Sequence, residues 1–174
     1  GHKLPLAVLL HGGPEGDWAN DWSVRWNPAV FAAAGFMVVT LDPSGSTGFG
    51  QAMVDRVLEH WGDRPFEDII RGVHHVLDNE AHVDRERVVA AGASFGGYLI
   101  NWIQGHNDDG LFKALVTHDG VFDAEHTWFA TDELYFAESE FGGLPWEKSS
   151  SYARFSPHTR ADRWNTPHLI VHGG

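Results

Sequence analysis

Cysteine is absent from the 174 residues. That excludes disulfides, a Cys-ligated zinc or iron–sulfur site, and a thiol nucleophile, and it leaves both redox compartments open. No apolar run reaches the roughly 18 residues that a membrane-spanning helix needs. The opening Gly1-His2-Lys3-Leu4-Pro5 is not followed by the apolar core of a secretory leader. No N-x-S/T sequon, internal repeat or low-complexity stretch occurs. Positive charge is scarce, with Lys+Arg 12 against Asp+Glu 24 and a formal net charge of -12. A chain so acidic repels phosphate backbones and anionic lipid, so neither nucleic acid nor membrane is expected as a partner.

What is present is enough apolar residue, 43%, to bury one core in a chain of single-domain length. Leu6–Leu10, Phe36–Leu41, Val88–Ala91, Ala114–Thr117 and Leu169–Val171 are short apolar runs without polar alternation. Such runs fit strands buried on both faces, as in a parallel sheet. Between them, Pro28–Ala34 reads as a helix ended by Gly35. Phe66, Ile69, Ile70, Val73, Val76 and Leu77 recur at helical spacing, with Glu67 and Asp68 in the first turn. Tyr98–Gln104 reads as a further helix. Strands alternating with helices predict an α/β fold with a mostly parallel sheet and helices on both faces. The sequence begins on a strand and ends on one, so residues 1–174 are expected to be part of a domain truncated at both ends.

Gly92-Ala93-Ser94-Phe95-Gly96 is a G-x-S-x-G string between an apolar strand and a helix. That context suits a nucleophile elbow, in which a serine sits on a strained strand-to-helix turn and small neighbours permit the turn. Gly96 and Gly97 let the helix approach the sheet. The competing reading is a Gly-rich turn whose serine merely caps the helix. Earlier, His11-Gly12-Gly13-Pro14 directly follows a strand. A backbone N–H exposed there, with that of the residue after the nucleophile, can hold a developing oxyanion. His11 precedes Ser94, whereas the hydrolase order is serine, acid, histidine, so His11 is read as orienting its loop.

The chain holds 12 His, yet no metal site is expected. His74 and His75 point about 100° apart on a helix, and no H-E-x-x-H string occurs. The loop Gly45–Gly50 lacks the G-K-[ST] ending of a phosphate loop. Trp18, Trp22 and Trp26, spaced by four, read as a packing face rather than a binding wall.

Taken together, His11-Gly-Gly-Pro14 and Gly92-x-Ser94-x-Gly-Gly97 resemble the catalytic domain of the prolyl oligopeptidase family of serine peptidases. Asp42–Gly50 resembles the loop after that family's next strand, with Ser44 where many members carry Arg, Asn or Thr. Ser94–His106 and Phe112–Asp123 are similar to the fungal dipeptidyl-peptidase V branch, near the acylaminoacyl-peptidases. Tyr152–Pro157 and Trp164–Pro167 continue the likeness.

The resemblance implies an α/β-hydrolase domain preceded by a β-propeller. It implies release of dipeptides from peptides with a free N-terminus, through an acyl-enzyme and without a cofactor. Ser94 would be the nucleophile, and the N–H groups of Gly13 and Phe95 the oxyanion hole, with Gly92, Gly96, Gly97, His11 and Gly12 shaping the elbow and its loop. The catalytic Asp and His would lie beyond Gly174, so residues 1–174 alone are expected to be inactive. Secretion is implied, with cytoplasmic residence the alternative. A carboxylesterase or acyl hydrolase on the same fold, or a non-catalytic module, are the alternative functions.

Overall fold

Five strands pair side by side, the last of them mostly exposed, and leave their C-terminal ends along one edge. A computed structural model describes residues 3–20 and 22–173. In chain order the elements are β1 Leu4–Leu10, α1 Pro28–Ala33, β2 Met37–Leu41, α2 Gln51–Val54, α3 Arg64–Asn79, β3 Val83–Ala93 and α4 Phe95–Gln104. They continue as β4 Phe112–His118, α5 Ala124–Ala130, α6 Leu134–Phe141 and β5 His168–Val171, with 3-10 turns at Asp55–Val57 and Pro157–Arg163. The sheet order is β2-β1-β3-β4-β5, parallel throughout. This is the α/β architecture that the apolar runs predict.

The order places a topological switch between β1 and β3. The chain leaves β1 toward β2 on one side, then crosses back to β3 on the other. Open α/β sheets bind ligands in the crevice at such a point, outside the strands' carboxyl ends. Register aligns those ends: Leu10 lies beside Leu41 and Gly92, Ala93 beside His118, and His118 beside Val171.

Helix α3 starts at Asp63, whose carboxylate accepts from the Arg64 amide at 2.7 Å, and buries Ile69, Val73 and Leu77. Helix α4 is buried along its whole length. It needs polar partners there, and finds them: Tyr98 Oη donates to Phe155 O at 2.9 Å and Gln104 Nε2 to Thr166 O at 2.7 Å.

The structure departs from the sequence reading at several elements. Strand β3 begins five residues before Val88, because Asp84–Arg87 form a polar, irregular start where the register shifts. Helices α5 and α6 were not foreseen. The signal for α5 is Asp123, whose carboxylate accepts from the Glu125 and His126 amides and caps the helix. Among the described residues, no helix is long and apolar enough to cross a membrane.

Candidate active site

The end of β3 is built from small residues, Ala90-Ala91-Gly92-Ala93, all buried. The chain then turns sharply into α4 at Ser94, which has φ 57 and ψ -120. A non-glycine residue there is strained by about 1–3 kcal/mol, and such outliers concentrate at functional positions. Two backbone bonds hold the turn. The Ser94 amide donates to His118 O at 3.0 Å, and the Tyr98 amide donates to Ser94 O at 2.8 Å. Ser94 occupies the N-cap position, yet its side chain makes no capping hydrogen bond. The helix-cap reading of this serine therefore fails. Ser94 is exposed while Ala93 and Phe95 on either side are buried. The result is a free hydroxyl at the crevice between β1 and β3.

Each glycine of the string has a steric reason. A Cβ on Gly92 would overlap the Gly96 carbonyl. One on Gly96 would overlap the Leu10 carbonyl and come within 2.8 Å of His11 O. One on Gly97 would meet Gly120 Cα at 2.8 Å and His118 O at 2.9 Å. The first turn of α4 is thus wedged between the ends of β1 and β4.

Loop 11–15 runs beside the serine. A Cβ on Gly12 would sit 3.3 Å from Ser94 Cβ and 3.8 Å from its Oγ. Gly13 follows, exposed, with φ 137. Phe95 is the first residue of α4, so its N–H has no partner within the helix. His11 turns away into the neighbouring loop: its Nδ1–H donates to Gly12 O at 2.7 Å and its Nε2 meets Ser46 Oγ at 2.9 Å. Asp42 lies 3.7 Å from His11 and accepts from the Trp18 amide at 2.9 Å. Ser46, His11 and Asp42 superficially suggest a catalytic trio, but Ser46 is fully buried and cannot meet a substrate.

Three further histidines have other contacts. His106 stacks on Trp102 with ring centroids 4.3 Å apart, and burial lowers its pKa. His168 meets Thr117 Oγ1 at 2.8 Å and is likewise lowered by burial. His118 and Asp119, consecutive at the end of β4, contact each other at 3.3 Å. Among the described residues, no histidine ring hydrogen-bonds Ser94.

A cavity of about 760 Å³ opens beside Ser94, with Trp18, Arg25 and Trp26 in its wall. This corrects the expected tryptophan packing face. Among the described residues no helix spans these positions; Trp22 is 82% exposed, and Trp18 and Trp26 line the cavity.

Sequence reasoning also missed what stands behind Phe95. Trp61 packs edge-on against Phe95 and Tyr98, each with centroids 4.9 Å away, and its Nε1–H donates to Glu140 Oε2 at 2.5 Å. Glu140 is 2% exposed. Burial chiefly pushes its pKa up to about 7, the Trp61 N–H opposes this, and the charge and side-chain hydrogen bond of Glu15 add to the rise. In sequence, nothing sets Glu140 apart from the chain's other acidic residues.

Residues 22–174 match the family model described as prolyl oligopeptidase family. The chain is 52% identical over 170 residues to dipeptidyl-peptidase 5 of Schizosaccharomyces pombe, covering 98% of this chain and 25% of that protein. It is 51% identical over 170 residues to a probable dipeptidyl-peptidase 5 of Emericella nidulans, covering 97% and 23%. Among solved structures, a Pyrococcus horikoshii acylaminoacyl peptidase superposes with a TM-score of 0.91 at 32% identity, covering 99% of this chain and 27% of that one. A Mycobacterium tuberculosis puromycin-hydrolyzing peptidase gives 0.88 at 29%, covering 99% and 26%. The chain spans about a quarter of the length of the curated relatives it matches.

Proposed function

The chain belongs to the prolyl oligopeptidase family, and from that premise we propose that it is the catalytic part of a serine-type dipeptidyl-peptidase. The observation that carries this reading is the free, exposed hydroxyl of Ser94 on a strained turn at the switch point of the sheet. Ser94 Oγ attacks the carbonyl of the second residue of a peptide. The negative charge that develops on the carbonyl oxygen is taken by the Gly13 and Phe95 amides. The C–N bond then breaks, the shortened peptide leaves as an amine, and water releases the dipeptide from the ester on Ser94. The names of the fungal relatives support dipeptide release over single-residue or ester cleavage.

A serine hydroxyl at neutral pH is a weak nucleophile until a neighbouring base takes its proton. The described histidines make no bond to Ser94, and the relatives are about four times as long. We therefore assign base and acid to a His and an Asp following β5 in a longer protein, and a β-propeller to the preceding part. The exposed apolar residues Leu169, Ile170 and Val171 on the edge strand β5 fit a sheet that continues. Residues 1–174 expressed alone are expected to hydrolyse a dipeptide amide at least about 10⁴-fold more slowly than the full-length protein. Turnover by the fragment at the full-length rate would place the base within it.

The specificity test uses the full-length protein and three substrates: a dipeptide amide with a free amine, its N-acetyl form, and a short-chain ester. Dipeptidyl specificity predicts kcat/KM for the free amine at least about 100-fold above the acetylated form, since a recognised charge left without its partner costs about 3 kcal/mol. Preference for the ester, with no response to acetylation, would turn the reading to an esterase.

A further inference from the structure

The loop Asp42–Gly50 carries part of the family likeness, yet the reaction as described gives it no task. It meets the loop that follows β1 at three points. The Thr47 amide donates to Gly16 O at 2.9 Å. A Cβ on Gly45 would lie 2.9 Å from Pro14 Cβ. Ser46 Oγ reaches His11 Nε2 at 2.9 Å and Pro43 O at 2.6 Å. The loop is firmly seated. Ser44 and Ser46 are both fully buried. The Ser44 amide donates to Asp68 Oδ2 of α3 at 2.9 Å, and Arg56 Nε donates to Ser44 Oγ at 3.0 Å. Ser46 therefore offers His11 a fixed hydroxyl.

The other nitrogen of the ring decides what this anchor does. His11 Nδ1–H donates to Gly12 O at 2.7 Å. Gly12 O and the Gly13 N–H belong to one planar trans peptide unit, in which they point in opposite directions. A carbonyl drawn toward the ring turns the Gly13 N–H away from it. Glycine on both sides gives that unit little steric resistance to flipping, and Gly13 already has φ 137. Flipped, the unit would present the Gly12 carbonyl, an acceptor, where the negative oxygen forms. Gly16 makes room for the carbonyl in its observed place, since a Cβ there would lie 2.7 Å from Gly12 O.

We propose that Ser46, acting through His11, is a positioning residue for the oxyanion hole: it fixes the ring, and the ring holds the Gly12–Gly13 peptide with its N–H available to the oxyanion. This rests on the reading of Ser94 as nucleophile and of the Gly13 amide as an oxyanion donor. It also gives the buried trio of Ser46, His11 and Asp42 a purpose. In a catalytic triad a histidine is held at one nitrogen so that the other is aimed at a hydroxyl. Here the second nitrogen aims a backbone amide instead.

The test measures kcat and KM of the full-length protein for a dipeptide amide, together with the inhibition constant of a dipeptidyl boronate, whose tetrahedral adduct places an oxygen in the hole. Ser46→Ala should lower kcat by about 10²-fold, the loss that follows a donor displaced by about 1 Å or removed. The contact forms in the transition state, so KM should stay within about twofold while boronate affinity falls with kcat. His11→Ala should do the same. The double variant should lose no more than the larger single loss, because both residues act through one link. Thr47→Ala is the control: its side chain bonds Asp17 at 2.8 Å, on the same loop, and its loss should leave kcat unchanged.

A folded Ser46→Ala protein with wild-type kcat overturns the proposal, as does a loss confined to KM or one that leaves boronate affinity intact. Losses that multiply in the double variant overturn the link between the two residues. If Ser46→Ala does not fold, His11→Ala decides alone, and wild-type kcat there overturns the proposal. Fluorophosphonate labelling of the wild type separates this from the reading beneath it. Ser94 labelled, with kcat intact in the variants, removes the proposal only. Ser94 unlabelled removes the nucleophile reading and the proposal with it.

Discussion

Ser94→Ala in the full-length protein is expected to abolish fluorophosphonate labelling and to lower kcat by about 10⁶-fold, the loss typical of removing a serine nucleophile. Stability should hardly change. The Ser94 side chain makes no capping hydrogen bond, so its removal orphans no partner. Alanine keeps the Cβ, so the strain at φ 57 stays the same. A change below about 0.5 kcal/mol is expected, as for surface sites without special contacts. Thermal denaturation beside active-site titration separates the two quantities. A labelled Ser94→Ala protein would place the nucleophile elsewhere. A protein that melts far lower would mean the hydroxyl has a structural duty instead.

The fold was legible in the sequence where burial is two-sided. Leu6–Leu10 and Phe36–Leu41 stand out because strands covered on both faces carry no polar alternation. The elbow was legible for a different reason. Small residues at 92, 96 and 97 answer backbone contacts too close for a Cβ, and that demand shows directly in the residue types. Helix α6 was not legible, since Leu134 and Tyr135 are exposed at its start and blur any apolar stripe. Trp18, Trp22 and Trp26 misled, because a spacing of four implies one face only if the backbone is helical, and here it is not. Glu140 was invisible for a third reason. Its burial comes from Trp61, seventy-nine positions earlier in the chain, and no local pattern announces a contact of that range.

Gly96→Ala is expected to damage both stability and rate. Gly96 is the second residue of α4, and a Cβ there would overlap the Leu10 carbonyl with His11 O at 2.8 Å. They are backbone atoms at the end of a central strand, Leu10 being paired on both sides to β2 and β3 and His11 following it directly. They cannot yield as a flexible side chain would, so the helix must retreat. Overpacking of this kind costs about 1–3 kcal/mol. The retreat also carries the Phe95 amide away from the Gly13 loop, and a misplacement of about 1 Å at a reacting centre costs about 10²-fold in rate. The folded variant should therefore show kcat reduced by that factor. Gly110→Ala is the control. Gly110 has φ 65, yet a Cβ there meets nothing within 4 Å. It should lose about 1 kcal/mol through backbone strain alone and keep its full kcat. If Gly96→Ala retains the wild-type kcat, the close approach of α4 to β1 is not what aligns the two amides. Equal losses of rate in both variants would point to general loosening rather than a displaced oxyanion hole.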